Sequence, residues 1–316
     1  MLNSSRRFAP AAACIAAALI GAVSCGGGDA ATSDDKLAVL GSFYPMAWVA
    51  ERVAGSAASV TTLTKPGTEP HDLELSPRQV VSVAEADLVV YIKGLQPAVD
   101  QAVGQHAKDK AVDGASVVKT LPANAEETGG EHADEHDEHG DEHGGHDPHL
   151  WLDPSRLATV ATAVGDRLAK ADPERADAYR SNARTLAAGL NALDGQFKAG
   201  LQACAHKTMV TSHSAFAYLA DRYGLTQVSI AGVDPESEPS PARLAALATD
   251  IRRTGATTVF TETLVSPKVA QTLAREARVR TATLDPVEGL PAGSKDDYFS
   301  VMRRNLQTLR TALECS

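Results

Sequence analysis

What most constrains the fold of this chain is a repeated alternation of short apolar runs with helices that open on a cap-and-proline pair. Ser76-Pro77, Asp153-Pro154, Asp172-Pro173, Ser240-Pro241 and Ser266-Pro267 each place a side-chain acceptor at the N-cap and a proline in the first turn. Between such starts lie runs rich in Val, Thr, Leu and Ile. The pattern predicts strands at 36–40, 60–63, 88–92 and 116–119, and again at 208–211, 227–230, 257–261 and 280–284. Helices are predicted at 44–53, 77–86, 97–106, from 154, and at 215–223, 241–253, 267–278 and 296–313, with Gly224 as one C-terminal stop. Alternation of this kind is the mark of a mostly parallel sheet covered by helices. The expected class is α/β.

One segment does not fit a single sheet. From Asp172-Pro173 to about Leu201 the apolar positions are Ala176, Tyr179, Ala183, Leu186, Leu190, Leu193 and Phe197. The steps of three and four give one continuous apolar helical face. At 1.5 Å per residue this helix runs ~40 Å, longer than a small lobe requires. The expectation is therefore two lobes, each a mostly parallel sheet flanked by helices, joined by a long rigid helix with a cleft between them. The boundaries read as an N-terminal lobe at 36–155, a helical region at 156–201 and a C-terminal lobe at 202–316.

The N-terminus and the cysteines lead to the expectation of an exported chain. Arg6 and Arg7 precede an apolar run at 11–23, the length of a signal-peptide core and too short to span a bilayer. The run ends in Ala22-Val23-Ser24-Cys25, which resembles a bacterial lipobox. Residues 1–24 then read as a leader, Cys25 as the lipidated first mature residue, and 25–35 as a flexible tether. Net charge is −10, but residues 124–148 hold ten acidic and no basic side chains, so the remainder is balanced. A basic face for nucleic acid is not expected. Cys204 and Cys315 are the two thiols left over, and in an oxidising compartment a pair between them is expected; the alternative is two unrelated buried thiols.

Ligands of open parallel sheets bind beyond the carboxyl ends of the strands. The polar groups that follow the predicted strands include His71 in Lys65-Pro66-Gly67-Thr68-Glu69-Pro70-His71, His149 in Asp147-Pro148-His149, His213 in Ser212-His213, and Asp285 in Asp285-Pro286. Glu262 is a fifth candidate. Singly, His213 reads as a helix cap, and His71 and His149 as turn residues; their shared position at strand ends sets them apart. Three imidazoles and one carboxylate suit zinc in tetrahedral coordination, whereas calcium, magnesium and manganese favour more oxygen.

Pro70-His71, Asp147-Pro148-His149-Leu150-Trp151-Leu152-Asp153-Pro154, Thr211-Ser212-His213-Ser214-Ala215-Phe216 and Phe260-Thr261-Glu262 resemble the ZnuA-like zinc-binding proteins of bacterial ABC transporters. The similarity extends from about Lys36 to the end. It implies metal held in the interlobe cleft, with His71, His149 and His213 as ligands. Manganese-binding relatives typically carry Glu where this chain has His213. The fourth ligand is expected to be Asp285, with water, Glu262 or Glu69 as alternatives.

The tract at 124–147 carries His132, His136, His139, His143 and His146 among acidic residues and glycines. Two H-x-x-E-H strings occur in it, but a zinc-peptidase site needs a stable helix, and Gly140, Gly144 and Gly145 oppose one. The tract reads either as a solvated spacer or as a secondary zinc collector. The function expected is a monomeric binding protein, not an enzyme, that carries Zn2+ to the membrane permease of an ABC importer. Manganese or iron capture is the runner-up. A zinc hydrolase with Glu262 as base is less favoured, because a closed tetrahedral shell leaves no open position. No sequence feature favours a surface adhesin.

Overall fold

The computed structural model describes residues 36–123 and 145–316. The expected leader, Cys25, the tether, and His132, His136, His139 and His143 lie outside the described residues.

Side-chain alternation within the strands decides the layering. In β1 (Leu37–Gly41) and β3 (Leu88–Tyr91), Val39, Leu88 and Val90 enter one core while Leu40 and Val89 enter another. In β5 (Thr208–Thr211) and β7 (Thr258–Thr261), Met209 and Phe260 share the first core while Val210 and Val259 face away from it. A pleated strand with period two, apolar on both faces, is the signature of a parallel strand covered on both sides.

With β2 (Ala58–Thr62), β4 (Ala111–Asp113), β6 (Thr226–Ser229) and β8 (Arg280–Thr283), these strands form two parallel sheets of identical order, β2-β1-β3-β4 and β6-β5-β7-β8. The order reverses beside β1 and again beside β5. Each sheet therefore has a switch point, between β1 and β3 and between β5 and β7, where open parallel sheets hold their ligands.

The outer faces are covered by α2 (Pro77–Glu85) and α3 (Pro97–His106) on the first sheet, and by α7 (Pro241–Thr254) and α8 (Lys268–Ala277) on the second. The inner faces meet α1 (Tyr44–Ala54), α4 (Pro154–Ala171), α5 (Ala176–Leu201), α6 (Ala217–Tyr223) and α9 (Tyr298–Ala312) in one shared core. The long helix α5 has 26 residues and buries Tyr179, Ala183, Leu186, Leu190, Leu193 and Phe197 along the predicted face. It lies hard against α4: a Cβ on Gly165 would stand 2.6 Å from the Ala183 Cβ.

The halves also lock through aromatic contacts. Trp48 of α1 stacks on Tyr298 of α9 with centroids 5.0 Å apart, and Arg52 pairs with Asp297 at 2.9 Å. Residues Lys36–Ser316 thus form one compact unit. Cys204 and Cys315 are joined by a disulfide that ties the C-terminus to the start of the second half. Among the described residues, no helix is long and apolar enough to cross a membrane.

One predicted strand moves. The fourth strand is Ala111–Asp113, and Gly114–Val117 form a 3-10 turn instead of the strand expected at 116–119. The Asp113 carboxylate stops the strand by accepting from the Ala115 amide at 2.9 Å and the Lys93 amide at 3.0 Å. Val112 is the single buried side chain of this strand, so its apolar signal is weak. Val117 and Val118 pack half-buried against the shared core as loop residues.

Candidate metal centre

The segment after β2 carries His71. Its base is fixed by buried polar groups: Gln96, 1% exposed, donates to the Thr64 hydroxyl at 3.0 Å and to the Pro70 carbonyl at 3.1 Å. Thr64 in turn donates from its hydroxyl to the Ser42 carbonyl at 3.0 Å. Glu69 accepts the His71 amide through both oxygens, at 3.1 and 3.0 Å, which turns the His71 ring inward.

His149 opens the short 3-10 turn Leu150–Leu152 just before α4. The Asp147 carboxylate accepts from its amide and engages its Nδ1, each at 2.8 Å. His213 leaves the end of β5, and Glu262 leaves the end of β7, so the two straddle the second switch point. Glu262 accepts the His213 amide at 3.0 Å and engages the ring at Nδ1. In both cases a carboxylate on Nδ1 leaves Nε2 for a metal, the arrangement that fixes tautomer and ring direction in histidine-bound metal sites.

The fourth group is Glu288. His71, His149, His213 and Glu288 each offer one atom, all within 4.8 Å of one another, and all four are buried. The Nε2 atoms of His71 and His149 stand 3.3 Å apart, and Glu288 Oε1 lies 3.5, 3.6 and 3.2 Å from the Nε2 atoms of His71, His149 and His213. Ligands about 2.0–2.1 Å from a tetrahedral zinc ion are about 3.3 Å from each other. The four spacings of 3.2 to 3.6 Å lie close to that separation, and every pair falls within 4.8 Å.

Three sequence candidates lie outside this group. Asp285 does not reach it: its carboxylate accepts the Val287 amide at 2.8 Å, while its backbone is held by Asn305 through bonds of 3.0 and 2.7 Å. Asp285 is the first polar residue after β8, but the chain runs on and reverses at Val287, whose φ is +58°, before Glu288 turns inward. Glu262 orients His213 instead of joining the four. Glu69 sits at the edge, 3.9 Å from His71 Nε2. The sequence carries no local signal for Glu288, because its place depends on a left-handed Val that no propensity predicts. His146 is not among the four; its Nε2–H donates to the Lys93 carbonyl at 2.9 Å.

Burial works against the charged form of Glu288, yet the imidazoles of His213, His149 and His71 hold its carboxyl well below the usual range. Burial likewise opposes a charged His213, but Glu262 and Glu288 raise it well above its ordinary value. Burial lowers His71. Burial pushes Glu69 up to about 7, and the nearby Glu288 adds to this. The cluster is built to hold positive charge, and a divalent cation competes there with a proton.

Two parallel-sheet halves enclosing three imidazoles and a carboxylate define a cleft-type binding site for a borderline divalent cation. The chain belongs to the ZnuA family, zinc-uptake complex component A, periplasmic, whose profile matches residues 39–312. It is 38% identical to the zinc-binding protein AdcA of Streptococcus pyogenes over 88% of its own length, but spans only 56% of that relative. It is 34% identical to the high-affinity zinc uptake system protein ZnuA of Bacillus subtilis, covering 95% of this chain and 96% of the relative. The crystal structure of the Zn(II)-bound ZnuA-like domain of Streptococcus pneumoniae AdcA matches with a TM-score of 0.73 and 32% identity, over 88% of this chain and 99% of that one.

Proposed function

We propose that this protein captures zinc outside the cytoplasm and hands it to the membrane permease of an ABC importer. The observation that carries this is the convergence of His71, His149, His213 and Glu288, from distant parts of the chain, on one buried point with their ligand atoms within 4.8 Å of one another. Zinc is the cargo, and these four side chains are its ligands. Asp147 and Glu262 orient two of them. The relatives named for zinc binding and zinc uptake agree with this reading.

The mature protein works as a monomer tethered by lipid on Cys25 through residues 25–35, after removal of 1–24. Its lobes are 36–155 and 202–316, with the helical region 156–201 between them. Catalysis is not part of the role, because a filled four-ligand shell leaves no site for an activated water. Glu262, the one base considered for hydrolysis, is also spent on His213. The tract at 124–147 is a secondary zinc collector.

Metal analysis of the purified protein beside a His71/His149/His213 triple alanine variant tests the site. One tight zinc, lost in the variant, is expected. Competitive titration with manganese then tests the cargo, and a clear preference for manganese would overturn the assignment. Removal of residues 131–145 tests the tract: an unchanged zinc stoichiometry would dispose of the collector role.

A further inference from the structure

The hydroxyl of Tyr218 joins the metal centre to a part of the chain that no ligand touches. Tyr218 is in the first turn of α6, just downstream of His213, and is fully buried. Its oxygen accepts the Leu121 amide at 3.0 Å, and its proton goes to the Asp147 carbonyl at 2.6 Å. Leu121 and Asp147 are themselves paired, with the Asp147 amide on the Leu121 carbonyl at 2.9 Å. The next rung joins the Ala123 amide to the Gly145 carbonyl at 2.7 Å. The hydroxyl thus adds two bonds to the paired segments 121–123 and 145–147, ahead of the turn that leads into α4.

The bond falls on one residue of consequence. Asp147 holds His149 at both its amide and its Nδ1, so the plane of the Asp147 peptide sets where that carboxylate stands and how the His149 ring is turned. A phenol has one donor proton and acceptor lone pairs, and here it uses both. Burial pushes the Tyr218 hydroxyl up to about 12, so the proton is retained at any physiological pH. The Arg156 guanidinium lies over the ring at 4.8 Å and keeps the ring in place without touching the metal ligands.

We infer that Tyr218 is a positioning residue for zinc capture: through the Asp147 carbonyl it fixes the direction of His149, and it couples that ligand to α6, the helix that follows His213. The inference rests on the zinc reading of the site. It assigns to α6 a role in affinity that shape alone would not give. A brace that only stabilised the fold would leave the geometry at the ion untouched.

The test is Tyr218→Phe, which keeps the ring and removes both hydrogen bonds. Zinc affinity is read by competition with a chromophoric chelator, ion geometry by the visible absorption of the cobalt(II)-loaded protein, and stability by melting of the metal-free form. Partners that orient a metal-bound histidine are worth about 10–100-fold in affinity. Expected is a loss of about 10-fold together with an altered cobalt spectrum. A lower melting temperature with affinity and spectrum unchanged would overturn the inference.

Hydrogen exchange on the unaltered protein gives a second reading that needs no variant. Coupling between two sites is reciprocal, so zinc must slow exchange of the Leu121 amide if Tyr218 links it to the centre. Equal exchange with and without zinc overturns the link. If the unaltered protein binds no zinc at all, the reading of the site fails first, and that outcome is distinct from either of these.

Discussion

At the scale of single residues, the fourth ligand is the sharpest point at which structure and sequence part. Glu288→Gln keeps size but removes the charge that three imidazoles face and turns one acceptor oxygen into a donor, and zinc affinity should fall at least about 10-fold. Asp285→Asn keeps the acceptor for the Val287 amide and should leave affinity unchanged. A chelator competition on the two variants decides which carboxylate serves the ion. Val287, between them, is a β-branched residue in the left-handed region and is fully buried. Val287→Gly relieves about 1–2 kcal/mol of backbone strain. It loses about 1.5–3 kcal/mol of side-chain burial and adds about 0.5–1 kcal/mol of chain entropy. The balance is a destabilisation of about 1.5 kcal/mol, readable as a lower urea midpoint. His149 lies far beyond β4, and the strand expected at 116–119 ahead of it is a 3-10 turn, whereas His71 and His213 were legible because they follow β2 and β5, and strand ends converge in a parallel sheet. Glu288 was not, since its position is set by one residue's φ and not by any strand.

At the scale of elements, the long helix is where sequence periodicity served best. Steps of three and four from Tyr179 to Phe197 marked the face that the shared core now covers. The same helix carries a charge that the pattern did not announce. Asp194 is only 6% exposed and accepts from Arg222 at 2.9 and 3.0 Å and from Lys198 at 2.7 Å. Burial pushes its carboxyl up, but those hydrogen bonds outweigh it and hold the group below its ordinary 3.8. A depressed folded value means that the stabilisation is complete above 3.8 and lost as pH falls through the lower folded value. Asp194→Asn should therefore cost about 2 kcal/mol at neutral pH. The gap to the unaltered protein should narrow below about pH 4 in urea titrations, since both then carry an uncharged group. A gap constant down to pH 2 would deny the charged bonds this role. The fourth strand shows the opposite case. Three residues with one buried side chain are too short for periodicity to register, and the more apolar run beside them drew the prediction away.

At the scale of the whole molecule, the question is how an ion reaches ligands that are almost fully enclosed. A wide hinge between the halves would have to part the Trp48–Tyr298 stack, the Arg52–Asp297 pair, the Trp151 indole bond to the Pro286 carbonyl at 2.8 Å and the Tyr298 hydroxyl bond to the Trp151 carbonyl at 2.6 Å. Uncovering those aromatics alone costs about 1.5–3 kcal/mol for each large side chain. The total is comparable with the 5–15 kcal/mol that holds a whole domain folded. The disulfide closes a loop 111 residues apart in sequence inside the second half, so it stiffens that half and does not cross the hinge. Breaking it in a Cys204→Ser/Cys315→Ser double variant should cost about 2–4 kcal/mol, seen as a lower urea midpoint that reductant no longer shifts. Local movement is cheaper. The two ligand-bearing loops touch through one backbone bond, the Gly67 amide on the Leu290 carbonyl at 2.8 Å, and Gly67 already sits at a φ of +80°. Opening there frees His71 and Glu288 while the shared core stays closed. Hydrogen exchange should accordingly show a fast Gly67 amide in the metal-free protein, slowed by zinc, while amides in the middle of α5 are equally protected in both forms. Protection of α5 that rises with zinc as much as that of the loops would point instead to opening of the halves as bodies. Ion entry would then be set by the core and not by the two loops.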